Sequence, residues 1–119
     1  MKKSFIEIQK EINDLHYWDA RVLKLECNHF ADEVIFGYED EDKMVTYEFK
    51  ECYEVNFNHD KNYDKMRPVS EMTRPQIPYF IQDVEVVEIN INEVGFYKCK
   101  IDLYPLSLEI ICKKIIIKK

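Results

Sequence analysis

Between Leu23 and Phe57, side chains of one character recur at every second position, and this period limits the fold more than any other feature of the chain. Leu23, Leu25 and Cys27 alternate with Val22, Lys24 and Glu26. Val34, Phe36 and Tyr38 alternate with Ile35 and Gly37. Val45, Tyr47 and Phe49 alternate with Thr46, Glu48 and Lys50, and Tyr53, Val55 and Phe57 with Glu54, Asn56 and Asn58. Successive side chains of an extended strand point to opposite faces, so each run reads as a half-buried strand. The polar stretches Asn28 to Asp32 and Glu39 to Asp42 join the first three runs. Connections this short cannot make parallel crossovers, so the pattern predicts an antiparallel meander.

The period differs at the N-terminal end. Ser4, with Glu7 three residues on, fits a capping box, and Phe5, Ile8, Ile12 and Leu15 follow at helical spacing. This predicts an amphipathic helix over Phe5 to Asp14, laid on the sheet because a short helix is not stable alone. From Asn58 to Pro78 the rhythm breaks at Pro68, Pro75 and Pro78, giving a long loop of the functional or disordered kind. Strands resume over Tyr79 to Ile89, Val94 to Leu103 and from Leu106. The last ends in Ile115–Ile117, whose flanking lysines suit a guarded sheet edge. The expected fold is mostly β (α+β): an N-terminal helix packed on a twisted antiparallel sheet or half-barrel of about seven strands. With 119 residues, residues 1–119 are expected to form a single domain.

Charge and motifs exclude several functions. The net charge is −6, and the acids concentrate between Asp32 and Asp60, opposed there only by Lys43 and Lys50. Such a surface repels phosphate backbones, which disfavours nucleic acid, and attracts a basic protein. The N-terminal MKKSFIEIQK lacks the apolar run of a signal peptide, and no stretch approaches the ~20 apolar residues of a membrane helix. A cytoplasmic location without membrane contact is expected, with Cys27, Cys52, Cys99 and Cys112 as reduced thiols. Cys27, Cys99 and Cys112 fall in phase with apolar neighbours and read as core residues. With only Gly37 and Gly95 in the chain, phosphate-cradling loops are excluded, and no nucleophile elbow or zinc motif is found. No cofactor, metal or catalytic residue is therefore assigned.

Two clusters invite chemistry. The stretch LHYWDARV sets His16, Asp19 and Arg21 around the single tryptophan, Trp18. An imidazole beside a carboxylate suits proton transfer, and a pocket near Trp18 and His16 would make the chain a small-molecule binder or enzyme. The structural alternative is a corner in which Trp18 packs inward, Asp19 holds backbone amides and Arg21 meets an acid. His59 and Asp60 could join His16 at a metal, or simply open the long loop. Tyrosines beside acids resemble the composition of protein-binding surfaces.

The residues Leu15-His16, then Asp19-Ala20-Arg21-Val22 and Lys24-Leu25-Glu26, placed between a helix and a β-meander, resemble the immunity protein 50 family of polymorphic toxin systems. Here Tyr17 and Trp18 separate the histidine from the aspartate. The resemblance implies a cytoplasmic, non-enzymatic protein that binds and neutralises a toxin. The surface expected to do so comprises Glu39, Asp40, Glu41, Asp42, Glu48, Glu51 and Glu54 with Tyr38 and Tyr63. It would occlude a basic cleft, with charge speeding association and aromatic rings holding the complex.

Overall fold

The computed structural model describes residues 3–41, 43–60 and 68–119. Helix α1 spans Phe5–Asn13, followed by β1 (Val22–Asn28), β2 (Glu33–Asp40), β3 (Lys43–His59), β4 (Asp83–Ile91), β5 (Val94–Leu103) and β6 (Leu106–Lys118). The strands form one antiparallel sheet in the order β1-β2-β3-β6-β5-β4.

The helix begins where its cap predicts. The Ser4 hydroxyl accepts from the Glu7 amide at 3.2 Å, satisfying one amide that a helix start leaves open. Ile8 and Ile12 are buried on one face. Between them, Gln9 straps the helix to β4: its Nε2 donates to the Val84 carbonyl at 3.0 Å and its Oε1 accepts from the Val86 amide at 2.6 Å. The strand at the end of the sheet order thus has two backbone groups paired by one side chain, a way of covering an edge.

The sheet has six strands, not about seven, because the runs read as Val45–Phe49 and Tyr53–Phe57 are one 17-residue strand, β3. Its register against β6 slips between Cys52 and Glu54, and Glu51 has φ 54°. A bulge of this kind bends a strand and shifts which residues face inward. Val45, Tyr47 and Phe49 before it are buried, whereas Tyr53 and Phe57 after it are exposed. Strand β6 lies between β3 and β5, but its pairing with β5 ends at Cys112. Ile115–Ile117 pairs only with Phe49, Glu48 and Tyr47 of β3, so its other side is an edge among the described residues.

The core gathers Val34, Phe36 and Tyr38 of β2, Val45, Tyr47 and Phe49 of β3, and Cys99, Ile101 and Leu103 of β5. Within it the Tyr38 and Tyr47 hydroxyls bond each other at 2.9 Å. Cys99 and Cys112 are buried, as the period predicts, but Cys27 is exposed at the end of outer strand β1. The two outer parts of the sheet also meet. The Asp19 amide donates to Ile81 O at 2.8 Å, the Ile81 amide to Ala20 O at 3.0 Å and the Val22 amide to Tyr79 O at 2.8 Å. The segment leading into β4 is thereby clasped to the segment leading into β1.

The β1–β2 turn is backbone-strained. The Asp32 amide bonds His29 O at 3.0 Å, and His29, Phe30 and Ala31 have φ of 52°, 57° and 69°. Positive φ at both central positions is the type I′ arrangement, which favours Asn-Gly. A residue with a Cβ costs about 1–2 kcal/mol in this region.

Candidate partner-binding surface

The LHYWDARV corner is the clasp just described. His16 and Asp19 take positive φ, 46° and 58°, and the chain between them turns Tyr17 inward. Tyr17 is buried and Trp18 is 62% exposed, so the expected inward packing of Trp18 is corrected: Tyr17 is the anchor, and Trp18 lies on its ring at 4.5 Å between centroids. Asp19 contributes its backbone amide to the clasp. The Arg21 guanidinium sits over the Phe80 ring at 5.0 Å. Among the described residues it meets no acid, and its Nε is buried with no hydrogen-bond partner. His16 is exposed. His59 lies elsewhere, its Nε2 2.6 Å from the Tyr79 hydroxyl. Among the described residues no three His, Cys, Asp or Glu side chains come close enough to hold a metal ion.

The acidic residues expected to bind a partner do not all share one state. Glu39 is tied to Arg74, within the Pro-broken segment. Glu48 meets Lys118 at 2.6 Å and Lys50 at 3.9 Å, and Glu51 meets Lys114 at 3.6 Å. Asp40, Glu41 and Glu54 have no ion pair among the described residues; Glu54 only accepts from Asn56 at 2.9 Å. Glu41 sits at the β2–β3 hairpin tip with φ 56°. Tyr38 is in the core, not on the surface. Its hydroxyl is pushed up to about 12 by burial, an effect partly offset by its bond to Tyr47. Asp42 and Tyr63 lie outside the described residues.

The surface also contains features the acid pattern does not mark. A cleft of about 750 Å³ runs between the start of β5 and the end of β6, walled by Gly95, Tyr97, Lys113 and Ile115–Ile117. A second, of about 390 Å³, lies between the strained turn and β3, walled by His29, Phe30, Asp32, Cys52, Tyr53 and Val55. Neither has His16 or Trp18 in its wall. Phe30, at the turn tip, is fully exposed. The available signal for it was an aromatic inside Asn28-His29-Phe30-Ala31-Asp32, where turn chemistry favours small polar residues.

No helix among the described residues is long and apolar enough to cross a membrane. No curated protein matches the chain. The profile of the family described as Immunity protein PIM7 matches residues 4–119. The likeness first suggested by the corner residues therefore holds at the level of immunity-type proteins, and the family matched is PIM7. A match that runs from the helix cap to the final lysine places the fold as a whole inside it: this chain belongs to the Immunity protein PIM7 family.

Proposed function

We propose that the chain is a non-enzymatic, cytoplasmic immunity protein that neutralises a toxin by occluding a basic surface on it. The observation that carries this reading is the family match over residues 4–119, which implies a protein partner. The acidic surface supports the charge of that partner. Asp40, Glu41 and Glu54 are available without breaking any contact with a cation among the described residues. Glu51 pairs with Lys114, and both side chains are more than half exposed, whereas Glu48 is mostly covered. A surface pair such as Glu51–Lys114 is worth ~0–1 kcal/mol, so a partner's Lys or Arg can replace Lys114 at little cost. Glu39 belongs to the same acidic set and is tied to Arg74.

Long-range charge attraction acts mainly on the association rate and fades with salt. The combined variant Asp40→Asn, Glu41→Gln, Glu54→Gln is therefore expected to associate about tenfold more slowly with the toxin at low ionic strength. The difference should shrink at high salt, and the dissociation rate should change less. Stopped-flow association at two salt concentrations measures this. Equal rates at low salt would show that another face meets the toxin.

A further inference from the structure

The strained turn and its exposed ring are best explained together. The chain holds Phe30 and Ala31 in backbone conformations that glycine and asparagine adopt more readily. Phe30 nevertheless gives the fold nothing in return, since its exposure is 108% of the reference value. The turn is also fixed in place: the Cys52 amide of β3 donates to Asp32 O at 3.0 Å. Strained backbone held by its surroundings is a feature that clusters at functional sites.

Beside Phe30 stands Tyr53, which is 59% exposed and follows the β3 bulge. Between the two lies the 390 Å³ cleft. Phe30 on the fixed turn, and Tyr53 with its ring backed by Phe96 at 5.4 Å between centroids, flank an open cleft in the form of an interface hot spot. The charge around them is negative. Asp32 and Glu54 are exposed and make no ion pair among the described residues. The Cys52 thiol in the cleft wall is pushed up to about 11, first by burial and then by the charge of Asp32. His29 faces Glu33 at 3.2 Å. An apolar knob ringed by carboxylates is complementary to an apolar pocket rimmed by lysine or arginine.

We propose that Phe30 and Tyr53 form the apolar anchor by which this chain seats on its toxin, entering a pocket with a cationic rim. The inference rests on the functional reading above and adds to it the contact that sets the lifetime of the complex. Hot-spot aromatics act on dissociation, whereas the hairpin acids act on encounter.

The test uses the full chain and the catalytically inactivated toxin domain that it protects against, with titration calorimetry and thermal melting. Phe30→Gly is expected to weaken binding at least 100-fold while melting no lower than wild type, because glycine relieves the positive φ. Phe30→Leu should recover part of the loss, and Tyr53→Ala should cost about tenfold. Tyr53 lies outside the turn, so its variant tests the same contact should Phe30→Gly lower the melting temperature. Wild-type binding with both variants within threefold of it overturns the anchor and leaves the functional reading standing. Failure of wild type to bind overturns both. Loss of self-association in Phe30→Gly with toxin binding unchanged assigns the knob to a second copy of this chain and overturns the proposal.

Discussion

Tyr47→Ala is expected to destabilise the fold by about 4 kcal/mol, the range for emptying a fully buried aromatic site. Tyr47 is fully buried, with Tyr38 edge-on at 5.4 Å, Phe36 at 5.7 Å and Phe49 at 6.4 Å between ring centroids. Its removal empties the middle of the core and also leaves the Tyr38 hydroxyl unpaired. Tyr47→Phe separates these effects. It keeps the ring and strands one hydroxyl, for a cost of about 1–2 kcal/mol, whereas the double change Tyr38→Phe, Tyr47→Phe should regain most of that. Urea denaturation of the variants measures all of these values. A double variant no more stable than Tyr47→Phe would show that the stranded Tyr38 hydroxyl carries no penalty.

The same pair sets an alkaline limit. Burial raises both phenols above the ordinary value of 10.0, Tyr38 to about 12 and Tyr47 further. A raised acid stays neutral in the fold but ionises in the unfolded chain. The stability it confers is therefore fully present below pH 10.0 and is lost as pH rises from there through about 12. Replacing both tyrosines by phenylalanine should flatten that loss.

The second large effect belongs to Gln9. Gln9→Ala is expected to cost about 2–3 kcal/mol, because it removes one side chain and unpairs two part-buried backbone groups of β4 at once. Gln9→Glu distinguishes the two bonds. A carboxylate still accepts from the Val86 amide but cannot donate to the Val84 carbonyl, so its loss should be smaller than alanine's at neutral pH. Hydrogen exchange should show the Val86 amide losing protection first. Equal stability of wild type and Gln9→Ala would mean that water replaces the strap without cost.

What could be read from the sequence follows from how local each signal is. The helix and most strands were legible because capping and alternation are set by near neighbours; the last three strands were placed within a few residues of their bounds. The β3 bulge was not legible. Lys50-Glu51-Cys52 offers no Gly or Pro, and a change of face there looks the same as a change of strand. Gln9 gave no sign because its partners lie 75 and 77 residues away. At the corner, composition favoured Trp18 as the anchor, but two positive φ values decided for Tyr17. Tyr38 was assigned to the surface by its acidic neighbours, although its own parity with Val34 and Phe36 already placed it inside. Phe30 carries no pattern of its own, since it stands as a lone aromatic in a turn. The acids were visible as a cluster, but which of them face a cation depends on β6 and Arg74, far away in the chain.

The central claim is that this chain protects by binding, and the stoichiometry of protection tests that most directly. The activity of the purified toxin domain is followed while the full chain is titrated into it. Occlusion predicts that activity falls in proportion to added protein and reaches zero at one equivalent, with no further change over time. Progressive loss of activity at a small fraction of an equivalent would reveal turnover and contradict it, as would full activity at an excess.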